Sequence, residues 1–163
     1  MTLRRMFRHL VVPDWSVRRA FDAATLQAIE QAISDTERSH GGEIRFAVEA
    51  SASPIDLMRG ITPRHQAMEA FARLGVWDTE ANNGVLIYVA WADRDVEIVA
   101  DRGFNGLVSV QEWAEVCHRM EQSFARGSPR QAVVDGIRAA GVLIARHFPT
   151  TDRDELPNRP ALL

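Results

Sequence analysis

Five polar side chains on two short stretches carry the strongest hint of chemistry in this chain. Asp78, Asn82 and Asn83 precede one apolar run, and Asp101 and Arg102 follow the next. Arg102 offers a planar fork of donors suited to phosphate, while Gly103 and Gly106 allow a backbone to approach a ligand closely. Asp101 could serve as a nucleophile or as a ligand to a hard cation, Ca2+ or Mg2+, with Asp78, Asn82 and Asn83 supplying further oxygens. The helix expected to begin at Ser109 would add free backbone N–H groups and a positive dipole end. A plainer reading competes: Asn-Asn-Gly and Asp-Arg-Gly also suit turns and strand ends, and Asp101 with Arg102 could be a surface pair.

These residues meet only if the chain between them folds back on itself. Gly84 to Trp91 is an almost unbroken run of strand-favouring apolar residues, as expected for a strand covered on both faces. Asp93-Arg94-Asp95 would turn the chain, and Val96 to Asp101 would return it. Antiparallel pairing then sets Asn82-Asn83-Gly84 beside Asp101-Arg102-Gly103 at one pole. The charged turn at the other pole, near Ser51 to Asp56, reads as solvated.

Other elements must frame this hairpin. Phe21, Leu26, Ile29 and Ile33 predict a helix from Ser16 or Asp22 to about Ser39, ended by Gly41-Gly42. Glu43 to Ala50 alternates between polar and apolar residues, which predicts a half-exposed strand and, if it is an edge, a place for a partner strand. Ser51 to Ile61 reads as a loop. Thr62-Pro63 then opens a helix carrying Ala67, Ala70, Phe71 and Leu74, so a strand, a crossover helix and a strand make a right-handed parallel unit. Ser109-x-x-Glu112 is a capping box, and it opens a helix whose apolar face is Trp113, Val116, Cys117, Met120 and Phe124. Ser128-Pro129 opens the last helix, which stops before Pro149. The order α-β-α-β-β-α-α predicts an α/β fold, a three-layer α/β/α sandwich with a small mixed sheet. One domain over 15–149 would sit between an N-terminal arm, 1–14, unassigned among helix, strand and arm, and a flexible C-terminal tail, 150–163.

Composition narrows the function. A formal charge of -3 and a pI near 5.9 give no global reason to expect affinity for nucleic acid. The single Cys117 excludes an internal disulfide, and the five histidines lack metal-ligand spacing. Serine-hydrolase, P-loop and dinucleotide motifs are missing. No apolar run approaches the roughly 20 residues needed to cross a bilayer, so a soluble, cytoplasmic protein is expected.

The motifs G-G-E-I-R-F-A-V-E, A-F-A-R-L-G-V-W-D, N-N-G-V-L-I-Y-V, V-E-I-V-A-D-R-G-F and a final helix ending in H-F-P resemble the TPM domain family over roughly residues 20–149. The chain looks like the family's short soluble branch, without signal peptide or membrane helix. The resemblance implies a membrane-associated partner of the LemA type and, from a plant member, acid phosphatase activity with calcium binding. Many members read Asp-Asn-Gly or Asp-Asp-Gly where this chain has Asn82-Asn83-Gly84, and Gly-Tyr-Gly where it has Asp101-Arg102-Gly103-Phe104. The expected function is therefore a non-catalytic binding or adaptor module, with a weak metal-dependent acid phosphatase at the Asn82/Asp101 pole as the alternative.

Overall fold

The computed structural model describes residues 3–150 and 155–163. Pro13, which has no N–H to give, separates α1 (Leu3–Val11) from α2 (Asp14–Ala20). Asp22 accepts a 2.8 Å bond from the Thr25 N–H and starts α3 (Ala23–Glu37), the later of the two expected helix starts. β1 (Glu43–Glu49) follows, then α4 (Pro54–Met58) inside the segment expected to be a loop, and α5 (Pro63–Arg73), capped by Thr62. The hairpin is β2 (Gly84–Ala90) and β3 (Asp95–Ala100). The Ser109 capping box opens α6 (Val110–Ala125), and Pro129 opens α7 (Pro129–Ala145). A final short strand, β4 (Ala161–Leu162), closes the chain.

The sheet order is β3-β2-β1-β4. β1 and β2 run parallel from Glu43 opposite Gly84 to Glu49 opposite Ala90, and β3 runs antiparallel to β2 with Val85 opposite Ala100. This is the mixed sheet of the expected α/β sandwich. One face packs Ile44, Phe46, Val48, Val85, Ile87 and Val89 under α2, α3, α6 and α7. The other face carries Ala47, Leu86, Tyr88 and Val99, against which Ala67 and Ala70 of α5 pack.

The C-terminal segment covers the remainder. Leu156 is buried in that second apolar cluster, and β4 pairs parallel with β1, the Leu163 N–H donating 2.9 Å to the Val48 carbonyl. Glu43 accepts from the Leu156 N–H at 3.1 Å, and the Arg45 guanidinium donates to the carbonyls of Pro157 and Arg159. β1 is thus an interior strand, not the half-exposed edge its alternation suggests. Its charged residues are buried because another stretch of backbone uses them. The tail expected to be extended or disordered is extended and docked over 155–163, and residues 151–154 lie outside the described residues.

The outer edge on the hairpin side is β3, and it is blocked. Pairing with β2 turns the backbone groups of Val96 and Ile98 outward. The Val96 N–H donates to Glu121 at 3.1 Å, the Ile98 carbonyl accepts from Arg64 at 2.6 Å, and the Ile98 N–H meets the Cys117 sulfur. Burial, then the carboxylates of Glu97 and Glu121, push the Cys117 thiol up to about 12. Beyond filling the core, then, Cys117 helps cover a strand edge that would otherwise invite pairing.

The far turn of the hairpin also departs from expectation. Asp93, read as solvated, keeps only 8% of its side chain exposed because α1 lies over it. Arg5 grips its carboxylate and His9 Nε2 sits 3.1 Å from Oδ1. Burial alone would raise this carboxyl, but the bonds from Arg5 and His9 hold it below the usual range.

Candidate functional site

The pole opposite α1 is where the predicted site residues gather. Asn82 adopts a left-handed conformation, φ 52°, which Asn tolerates better than most residues. Its carbonyl accepts from the Gly103 N–H at 2.9 Å, and the Asp101 N–H donates 2.9 Å to the Gly84 carbonyl. A side-chain carbon added at Gly84 would collide with the Val76 carbonyl oxygen, and one at Gly103 with the Asn82 carbonyl oxygen. Both glycines of the two motifs are therefore required by close backbone packing.

Four of the five side chains meet or share this framework. Arg102 Nε donates 2.6 Å to Asn82 Oδ1, and its two terminal nitrogens have no partner among the described residues. Asp101 Oδ1 accepts from the Arg102 N–H at 2.7 Å and caps the 3-10 turn 102–104. Its Oδ2 is shielded from solvent without a partner among the described residues. Asn83 points inward: it is 1% exposed, its N–H reaches Thr79 Oγ1 at 3.1 Å, and its amide donates to the Gly41 carbonyl. The exposed Asp78 belongs to the turn before them, its N–H donating 3.0 Å to the Gly75 carbonyl, and its side chain contacts none of the other four.

Two features lie beneath the pole, an aromatic cluster and a groove. Phe104 is buried against Phe148 and Trp113 at ring-centroid distances of 4.9 and 5.8 Å, propping the turn from below. Beside it runs a groove of about 430 Å³ lined by Arg64, Glu97, Ala100, Asp101, Trp113 and Cys117. Arg64 lies in α5, 37 residues upstream of Asp101, and no spacing marks it.

The electrostatics decide what this arrangement can hold. At the start of α6, Ser109 Oγ caps the Glu112 N–H at 3.2 Å while the Glu112 carboxylate accepts from the Ser109 N–H at 2.9 Å. Bonds to Ser109, and less so Arg146, hold that carboxyl below its usual range, so a negative charge already occupies the helix start where a phosphate was expected. Asn82 Oδ1 is committed to a guanidinium, which makes it a poor oxygen for a cation. Among the described residues no three His, Cys, Asp or Glu side chains converge. Two carboxylates and a committed amide fall well short of the roughly six to eight oxygens of a Ca2+ site, so the residues of this pole do not fit calcium in this arrangement.

The TPM domain family model matches residues 18–143. This chain belongs to the TPM domain family. Over that span the TPM domain holds α3 to α6, most of α7, the hairpin and the pole, whereas α1 and the docked C-terminal segment lie outside it. No curated protein matches the chain at a significant level. The solved TPM-like structure of the BA42 protein from the psychrophilic bacterium Bizionia argentinensis is 36% identical, with a TM-score of 0.75 over 86% of this chain and 94% of that one. The N-terminal domain of a P. gingivalis protein shares the fold at 15% identity, TM-score 0.60, over 88% and 95% of the two chains. That of the cg2496 protein from Corynebacterium glutamicum does so at 13% identity, TM-score 0.54, over 87% and 79%. Among the described residues no helix is long and apolar enough to cross a membrane.

Proposed function

We propose that this TPM domain is a non-catalytic binding or adaptor module that works with a membrane-associated partner of the LemA type. One observation carries the reading: the polar groups that would do chemistry at the pole are largely spent on its own structure. Arg102 braces Asn82, Asp101 caps its own turn, Asn83 ties β2 to the Gly41 turn, and Glu112 fills the helix start. What is left facing solvent is a braced rim beside a groove, which suits recognition better than turnover.

The competing reading is a weak acid phosphatase with Asp101 as nucleophile and Arg102 as phosphate clamp. It draws support from the unpartnered Asp101 Oδ2 and the free terminal nitrogens of Arg102. A single experiment separates the two: the soluble region of a LemA-type protein is titrated into labelled TPM domain, and phosphate-ester hydrolysis is measured on the parent and Asp101→Asn proteins. Saturable amide shifts at the pole with equal background hydrolysis support the adaptor. Hydrolysis by the parent that disappears in Asp101→Asn overturns it.

A further inference from the structure

α1 is amphipathic the wrong way round for a helix packed on a domain. Arg5, Arg8 and His9, at i, i+3 and i+4, face the protein. Arg5 binds Asp93 and the Ile61 carbonyl, Arg8 binds the Asp93 carbonyl at 3.0 Å, and His9 Nδ1 accepts from the Ala52 N–H at 2.9 Å. Phe7, Leu10 and Val11 repeat the same spacing on the opposite side and stand 69, 67 and 59% exposed. A helix on a soluble domain ordinarily buries its apolar stripe.

The surface continues beyond α1. α4 lies in sequence between Ala52 and Ile61, both bonded to α1, so it flanks that helix and adds exposed Ile55 and Met58, while α2 adds exposed Trp15. Half of the twelve large apolar side chains exposed among the described residues belong to these three short helices. Charge is concentrated there too. Residues 1–20 contain five arginines against Asp14, a net of +4 in a chain of net -3, which leaves -7 on the rest. Arg18 and Arg19 are exposed and form no ion pair among the described residues.

We infer that this face docks on an anionic lipid bilayer, with Phe7, Leu10, Val11 and Trp15 in the headgroup boundary and Arg18 and Arg19 on lipid phosphates. A second copy of the chain is the poorer occupant, since face-to-face pairing would bring two sets of the unpaired Arg18 and Arg19 together. An isolated nine-residue helix scarcely forms in water, but the grip on Asp93 supplies this one already folded, so docking carries no ordering cost for it. Direct lipid contact does not depend on the protein partner proposed above.

Vesicle cosedimentation of the whole chain tests this, comparing phosphatidylcholine with phosphatidylcholine–phosphatidylglycerol at low and high salt. Binding is expected only with the anionic lipid, weakened by salt, and reduced on the order of tenfold or more in a Phe7→Asp/Leu10→Asp protein. Both side chains point to water, and circular dichroism checks that the fold survives; Arg18→Glu/Arg19→Glu, expected to weaken binding several-fold, is the independent variant. No binding at millimolar anionic lipid, or equal binding by both variants, overturns the inference. So does concentration-dependent self-association abolished by the same substitutions, which would make a second copy the occupant.

Discussion

Arg5 and Asp93 are joined by two hydrogen bonds of 2.9 Å, from Nε and Nη2 to the two carboxylate oxygens, across 88 residues of chain. The bidentate geometry and low exposure, 18 and 8% of the two side chains, make this a partly desolvated pair rather than a surface contact. Removing Arg5 alone leaves a buried carboxylate with only His9 beside it. Arg5→Ala is expected to cost about 2 kcal/mol in urea denaturation, and Asp93→Asn in the same background should add little more. Additive losses from the two changes would show that the residues act separately.

Two residues further on, Asp95 makes the opposite prediction. Burial, then Glu97, Glu121 and Asp93, push its carboxyl up to about 6, above the ordinary 3.8. Between those values the folded chain holds a proton that the unfolded chain has lost, so the contribution of Asp95 to stability falls as pH rises through that window. Asp95→Asn should therefore raise the urea midpoint at pH 7, with the gain shrinking toward about pH 4. A pH-independent gain would remove the titration from the explanation. His40, lowered by burial, loses stability on acidification, but it does so equally in both proteins and cancels in the comparison.

The C-terminal segment should behave as part of the fold. Leu156 is 7% exposed in the cluster under α5, and Leu156→Ala is expected to cost about 2 kcal/mol. Ending the chain at residue 154 should cost more, because Glu43 and Arg45 lose the backbone groups they bind. Amide exchange along β1 is the sensitive readout. Unchanged protection at Arg45 and Val48 after truncation would mean that β4 adds nothing to the sheet.

At the pole, structure and chemistry can be pulled apart by two neighbours. Gly103→Ala forces a carbon against the Asn82 carbonyl and should destabilise by roughly 2 kcal/mol or more. Arg102→Ala removes an exposed side chain and should change stability by less than about 0.5 kcal/mol. Partner binding or ester hydrolysis is therefore best tested at Arg102, where a loss of function with an unchanged unfolding midpoint cannot be assigned to misfolding.

Much of this architecture is legible in the residues. The apolar run Val85 to Ala90, the Thr62-Pro63 and Ser109-x-x-Glu112 helix starts and the strand-helix-strand order identify the layers and the parallel pairing, because each is a local pattern with one structural solution. Local reasoning failed where the partner is distant. Glu43 and Arg45 read as solvent-facing because nothing in β1 announces that backbone 112 to 114 residues away will bind them. The 3.6-residue period of α1 marks two faces without saying which one turns inward, and Asp93 reverses the usual choice. The convergence of Asn82, Asp101 and Arg102 followed from antiparallel geometry. The inward turn of Asn83 did not, since a buried and an exposed Asn before a glycine look alike in sequence.

The docking of β4 on β1 also has a consequence for synthesis. The strand that completes the neighbourhood of β1 leaves the ribosome after every other strand of the sheet. While everything before it emerges and folds, β1 presents an open edge, and Glu43 and Arg45 face the cell without their backbone partners. Translation of Ala161 to Leu163 is thus also the step that closes the sheet. A stalled or prematurely terminated chain would expose this edge at the centre of the protein, making it a natural target for chaperone capture.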